Sequence, residues 1–376
     1  MRKGFQVHRV VQDESHLFTK GGASAKLDAA ILIKSKFRWG VTATPITTSI
    51  IGLEPQISFI LGETSPKQGR DLEDAMWNGT KSQEDFNLLI DRLVKVMIRH
   101  TKSQRINGSE ALSLPPSTTS TVMLTMSEDE NRVFNQIHIG YETFCKRVAS
   151  GAQAFIAERC FAYPMGGILR RQSRQDRNIP NFIEHVAGSF DQYCYNPDRL
   201  TKIVALRNDL RDLCQHEPEF KAVVFTQFLE VHSACVRGLK KDGYDVYEFT
   251  GSSNSVKRDA SIRSFQRGKA NRPTVFVITI RSGNVGITLN AASRVYLLEP
   301  CLDPAVEVQA AGRIHRLGQD KPCHVVKFAF KDSYEANILK LHQKILAGQM
   351  ELVNGFVPSN AMKILAKDIY GAGVYE

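Results

Sequence analysis

"KAVVFTQFLEVHSACVRGLKKDGYDVYEFTG", Lys221 to Gly251, settles the fold class. It opens on a β-branched run, KAVVFT (221–226), passes into a helix-like segment from Phe228, and ends in a second extended run, YDVYEF (244–249). Two strands joined by a helix form a β-α-β unit, and such units build parallel sheets. The alternation continues outward with a helix from Val256, then TVFVITI (274–280), RVYLL (294–298) and CHVVKFAF (323–330). A parallel-sheet α/β domain is therefore expected over 201–345.

Toward the N-terminus the same grammar recurs in weaker form. QVHRVVQ (6–12) and FRWGVTA (37–43) flank the helix-like ASAKLDAAILIK, a second β-α-β unit. An amphipathic helix is predicted over 84–98, where Phe86, Leu89, Ile90, Leu93, Val94 and Met97 recur at helical spacing. LPP at 114–116 breaks the pattern and marks a boundary. The expected organisation is a first α/β lobe over 1–113, a linker and helical insertion over 114–200, a second lobe over 201–345 and a tail over 346–376. The polar GILRRQSRQDRNIP (167–180) interrupts the insertion, either as a loop on a nucleic-acid face or as a solvated connector.

The composition, 42% hydrophobic and 23% charged, is that of a globular α/β protein without low-complexity bias. Forty-nine basic against 39 acidic side chains give a formal charge of +10. Such a balance favours polyanionic partners, nucleic acid first among them, although a basic solvated surface has the same composition. The seven cysteines are scattered, with no C-x-x-C pair and no zinc-ligand spacing, and read as reduced thiols. No apolar run of about 18 residues is present, so no membrane span is expected.

Four segments carry candidate chemistry. Asp13 and Glu14 follow directly on the first strand, and ligands collect at the carboxyl ends of parallel strands. An Asp there can hold Mg²⁺ while a neighbouring carboxylate orients or deprotonates water, but Asp-Glu pairs also simply open helices and fill turns. Gly283 and Gly286 let backbone amides approach a phosphate, or merely make a strand-to-helix turn. Arg313 and Arg316, three apart, share one face if they lie on a helix; they either reach one phosphate or stand in solvent. Gln309, one turn earlier, is placed to link the two.

In chain order, DESH (13–16), TATP (42–45), VVFTQF (223–228), SGNVGITL (282–289) and QAAGRIHRLGQ (309–319) resemble motifs II to VI of the Swi/Snf-type ATPases of helicase superfamily two. IRHTK (98–102), FTGSSNSVKRDASIRSF (249–265) and PAVEVQAAGRIHRLGQDKP (304–322) are similar to the family's connecting phrases, so the resemblance covers residues 5 to about 345. KFAFKDSYEANILKLHQK (327–344) is most similar to the branch of the helicase-like transcription factor and the post-replication repair translocases. That branch commonly carries a RING finger between motifs III and IV; without a Cys/His cluster here, ubiquitin-ligase activity is not expected.

The resemblance implies two RecA-like parallel-sheet lobes, the first incomplete, and an ATP-dependent, Mg²⁺-requiring translocase of double-stranded DNA or chromatin in the nucleus. By the same resemblance Asp13 and Glu14 serve Mg²⁺ and water activation, and His16 couples the nucleotide to the second lobe through Gln309. Thr42 and Thr44 link the ATP and DNA sites, and Arg313 and Arg316 contact the γ-phosphate. Gln227, Thr250, Gly251, Ser282 and Gly283 line the DNA backbone, where contacts position the duplex without reading sequence. Departures from the family pattern are Ala43, Asn284, Thr288, the turn PCLDP (300–304) and Gly312.

No G-x-x-x-x-G-K-[ST] loop occurs in the 376 residues. The first lobe is expected to be truncated, the isolated chain to hydrolyse ATP negligibly, and a protein partner to supply the missing half-lobe. Two other readings stay open: a non-catalytic DNA- or partner-binding remnant, and an RNA helicase, which the PAVEVQAAGRIHRLGQ context disfavours.

Overall fold

A computed structural model describes residues 6–15, 18, 25–42, 53–62, 91, 93–98, 100, 104–110, 112–132, 134–135, 199–251, 253–268, 272–283, 286–302 and 304–346. The fold is α/β, in two compact units that meet in sequence at Leu112–Ser113. Most of the predicted helix over 84–98, the interior of the 114–200 segment and the tail lie outside the described residues.

The first unit holds the strands β1 (Val7–Asp13) and β2 (Ser35–Val41), paired in parallel with Val11 opposite Trp39 and Asp13 opposite Val41. Helices α1 (Ala25–Leu32) and α2 (Glu54–Leu61) pack on one face, where Val10, Ala30 and Ile31 surround Phe18, Leu27 and Phe59. Arg38 fastens this layer, donating to the carbonyls of Ala30 (2.9 Å), Ile31 (2.9 Å) and Ile33 (2.6 Å) at the α1 C-terminus, where a cation is favoured. α2 ends at Gly62, whose φ of 74° is the left-handed cap that glycine adopts without a Cβ penalty. The opposite sheet face is bare: Val11 is 58% and Trp39 48% exposed, and the Arg9 guanidinium lies 5.9 Å and 5.3 Å from the Phe37 and Trp39 rings. Parallel sheets are normally covered on both faces. A small hairpin, β3 (Arg105–Ile106) and β4 (Ser109–Glu110), turns on Asn107 and Gly108, both at positive φ as a two-residue hairpin loop demands.

The second unit is a six-stranded parallel sheet ordered β5-β10-β9-β6-β8-β7. Its strands are β5 (Ser117–Leu124), β6 (Lys221–Thr226), β7 (Asp245–Phe249), β8 (Thr274–Thr279), β9 (Arg294–Leu297) and β10 (Cys323–Phe330). Helices α3 (Thr201–His216), α4 (Leu229–Lys241), α5 (Ser255–Arg267), the short α6 (Ile280–Gly283), α7 (Pro304–Ala311) and α8 (Tyr334–Leu346) complete it. The β8 residues are buried throughout, which is why these strands read as uninterrupted apolar runs. Val223, Phe225, Phe276, Ile278, Val295 and Leu297 form the centre of the core.

β5 was not anticipated. Its eight residues begin the segment expected as linker and insertion, yet they pair with β10 along its full length, Ser117 opposite Cys323 through Leu124 opposite Phe330. Just beyond it, Ser127 and Glu130 form a reciprocal capping box, with N–H to carboxylate at 2.9 Å and N–H to hydroxyl at 3.2 Å. The same Glu130 carboxylate accepts the Thr201 N–H at 2.9 Å, so it ties this turn to the start of α3.

Candidate functional site

The order of the second sheet fixes where a ligand meets it. β6 runs out through α4 toward β7 on one side, whereas β9 runs out through α7 toward β10 on the other. The two strands are neighbours, paired from Ala222 opposite Arg294 to Phe225 opposite Leu297. Connections that diverge between adjacent parallel strands leave a crevice at their carboxyl ends, where open α/β sheets bind ligands.

Five sequence-predicted positions fall on this carboxyl rim. Thr250 and Gly251 follow β7, Ser282 and Gly283 follow β8, and Gln227 follows β6, so they succeed one another in sheet order. A Cβ on Gly251 would stand 3.6 Å from the Ser282 hydroxyl, which places those two segments side by side. Ser282 is buried and shares a 2.6 Å hydrogen bond with the Thr279 hydroxyl, while Thr250 N–H donates to Ser253 at 3.0 Å. Gly286 is exposed and a Cβ there would meet nothing within 4 Å, so packing within the chain places no demand on that glycine.

Sequence reasoning missed what holds the rim together. Glu299, two residues past β9 and fully buried, accepts the Thr226 hydroxyl at 2.9 Å and 3.0 Å and the Gln227 N–H at 3.0 Å. The Gln227 side chain donates back to the Pro300 carbonyl at 3.0 Å. Burial pushes the Glu299 carboxyl up from 4.5 to about 7 against the pull of Lys202. Lys202, also fully buried, donates to the Leu298 carbonyl at 2.8 Å and to Glu335 at 2.5 Å, and its ammonium lies 4.7 Å from the Phe330 ring centre. Burial likewise raises the Glu335 carboxyl, opposed chiefly by Lys202. The signal available beforehand was slight: an acidic residue closing the apolar run RVYLLE.

The arginines correct an expectation. α7 stops at Ala311, so Arg313 and Arg316 are not on a helix face; they lie in the irregular turn that follows. Gly312 opens that turn, and a Cβ there would come 3.2 Å from the Val308 carbonyl, a close approach. Arg313 is 2% exposed, and its carbonyl accepts the Leu289 N–H at 2.8 Å. Arg316 is half-buried, with its Nε on the Gly312 carbonyl at 3.0 Å and a terminal nitrogen 3.4 Å from the Thr288 hydroxyl. The two arginines are thus anchored against the segment that carries Gly286, and Gln309 sits half-buried in the last turn of α7.

In the first unit Asp13 ends β1 with an exposed side chain, and Glu14 turns the chain at φ 50°, a left-handed conformation costly for a side-chain-bearing residue. The Glu14 N–H donates to the Asp13 carboxylate at 2.9 Å. Ser15 is buried and donates to Gln56 on α2 at 3.0 Å; Gly40 on β2 leaves room for it, since a Cβ there would lie 3.0 Å from its hydroxyl. Thr42 follows β2, half-buried, while His16 and Thr44 lie outside the described residues. Among the described residues no three His, Cys, Asp or Glu side chains cluster as a metal site, and no helix is long and apolar enough to cross a membrane. One exposed carboxylate fits Mg²⁺, which usually takes one or two carboxylates and completes its shell with water and phosphate oxygens.

Comparison with known proteins identifies two family domains in the chain. Residues 1–180 match the SNF2-related domain and residues 205–318 the helicase conserved C-terminal domain. The chain is 25% identical to the helicase-like transcription factor of Homo sapiens over 431 residues, covering 89% of this chain and 42% of that protein. It is 33% identical to the DNA repair protein RAD5 of Cryptococcus neoformans over 172 residues, covering 46% of this chain and 14% of that protein. The chain therefore spans less than half the length of these relatives. A crystal structure of the C-terminal part of the Fun30 ATPase domain superposes with a TM-score of 0.49 at 19% identity, over 69% of this chain and 99% of that one. With its motifs in family order, the chain belongs to the Swi/Snf-type, SNF2-related ATPases of helicase superfamily two, in the branch of the helicase-like transcription factor and RAD5.

Proposed function

We propose that this chain is part of an ATP-dependent motor that moves along double-stranded DNA, in chromatin remodelling or DNA repair in the nucleus. The observation that carries the reading is the convergence of Gln227, Thr250, Gly251, Ser282 and Gly283, from three separate segments, on the carboxyl rim of one sheet. Hydroxyls, an amide and glycine backbone suit phosphate oxygens and read no bases. The formal charge of +10 supports a polyanionic partner.

In this reading Asp13 holds Mg²⁺ and Glu14 orients and deprotonates the attacking water. ATP supplies the phosphoryl bond whose hydrolysis drives movement. Arg313 and Arg316 serve the γ-phosphate beside Gly286, His16 and Gln309 couple nucleotide state to the second lobe, and Thr42 and Thr44 relay between nucleotide and DNA. The 376 residues contain no phosphate-cradling loop, so the isolated chain binds duplex DNA but turns over ATP only at background rate.

A second reading, a DNA- or partner-binding module without turnover, is favoured by the bare β1–β2 face with Val11 and Trp39 exposed. Polypeptide that lays helices on this face, from a partner protein, completes the layer that parallel sheets require. The test of the main reading is duplex binding by a variant carrying Gln227→Glu and Thr250→Glu. Affinity is expected to fall at least about tenfold, because two carboxylates then face phosphates. Unchanged affinity with an unchanged unfolding midpoint refutes the rim as the DNA site.

A further inference from the structure

We infer that Glu299 is a positioning residue for DNA engagement: it spans the crevice between β6 and β9 and sets the conformation in which Gln227 meets the duplex. The inference rests on the rim reading above and adds a residue to it.

The geometry is specific. β6 and β9 are adjacent but send their connections in opposite directions, so nothing in the chain path links Gln227 to Pro300. Three hydrogen bonds do. The Glu299 carboxylate takes the Thr226 hydroxyl and the Gln227 N–H, and the Gln227 amide reaches back to the Pro300 carbonyl at 3.0 Å. The same Thr226 oxygen accepts the Phe228 N–H at 3.3 Å, so the carboxylate governs the whole turn into α4. An acidic side chain beside a polyanion site repels DNA; full burial keeps Glu299 out of direct contact with phosphates, and the Lys202 ammonium opposes its charge.

The titratable neighbours come from three packed helices: Lys202 on α3, Glu335 on α8 and the thiol of Cys235 on α4, which burial and Glu299 together hold above its ordinary range. None of them donates to Glu299 in place of Thr226 and Gln227. Removing its charge therefore changes the turn first.

The experiment is a double-mutant cycle in duplex-DNA affinity with the full chain: wild type, Glu299→Gln, Gln227→Ala and the pair. Glu299→Gln keeps volume but turns one acceptor oxygen into a donor facing donors. It is expected to weaken binding about fivefold, the scale of one lost hydrogen bond, and Gln227→Ala by a similar factor. The pair should be no weaker than the worse single variant, since both remove the same contact. Purely structural destabilisation predicts additive losses and a lowered unfolding midpoint. If Glu299→Gln does not fold, Thr226→Val, which deletes the hydroxyl that the carboxylate holds, must give the same fivefold loss and the same non-additivity with Gln227→Ala. Additive effects, or Glu299→Gln and Thr226→Val without effect while Gln227→Ala weakens binding, overturn the inference alone. Absence of duplex binding by wild type overturns the rim reading and this inference with it.

Discussion

Replacing Lys202 by Met should unfold the second unit more readily than any single surface change. Lys202 and Glu335 lie 133 positions apart, both at 0% exposure, with ammonium and carboxylate 2.5 Å apart. The ammonium also holds the Leu298 carbonyl at 2.8 Å, and the carboxylate also accepts the Phe330 N–H at 2.9 Å. Met matches the aliphatic stem but leaves a buried carboxylate without its cation, and removing one partner of such a pair costs about 3–5 kcal/mol. For a domain of this size that corresponds to a drop in melting temperature of roughly 10 °C. Glu335→Gln in the same background removes the stranded charge while keeping an acceptor for Phe330, and should recover most of the loss. The assay is urea unfolding of the full chain followed by far-ultraviolet circular dichroism. Trp39 and Trp77, the two tryptophans, both precede Leu112, so tryptophan emission reports the first unit separately. A Lys202→Met variant within about 0.5 kcal/mol of wild type, the range of surface substitutions, or a pair as unstable as that single variant, refutes the reasoning.

Glu299, ordinarily ionised above 4.5 but held near 7 by burial, binds a proton in the folded state that the unfolded chain has released. Its contribution to stability therefore falls as pH rises from about 4.5 to 7, by roughly 3 kcal/mol, and Glu299→Gln should flatten that slope in unfolding midpoints. Asp242, held below 3.8 chiefly by its hydrogen bond from Arg207, acts in a separate window and with the opposite sign. Its stabilisation is present above 3.8 and lost on further acidification, and Arg207→Met should remove it. Gly40→Ala, whose Cβ would lie 3.0 Å from the Ser15 hydroxyl and 3.2 Å from its Cβ, should destabilise the first unit by about 1–3 kcal/mol, read from tryptophan emission during unfolding. ATP turnover by the chain should stay at background with saturating duplex DNA; DNA-stimulated turnover abolished by Glu14→Gln contradicts the proposed dependence on an external phosphate loop.

Where burial dominates, the sequence was legible. KAVVFT and CHVVKFAF are strands of the extents expected because a parallel strand covered on both faces is mostly apolar, with Lys221, His324 and Lys327 at the half-buried positions. β5 escaped notice for the converse reason: STTSTVML is an edge strand whose first five residues are exposed, and Ser and Thr there resemble linker. The arginine spacing suggested a helix face, but α7 ends at Ala311, a break that the three-residue spacing does not carry. The Lys202, Glu299 and Glu335 network had only a slight local signature, as its members lie far apart in the sequence and meet only in the folded unit. Rim residues were found through family motifs rather than periodicity, because strand-end loops carry function without a repeating pattern.

Duplex DNA binding tests the proposed motor surface most directly. Affinity should be measured by fluorescence anisotropy for two duplexes of unrelated sequence across a series of salt concentrations. The expected result is equal affinity for both and a linear decline of log affinity with log salt, about 0.9 decade per decade of salt for each phosphate neutralised. No binding at low salt, or binding indifferent to salt, contradicts a backbone-tracking motor surface on the second sheet.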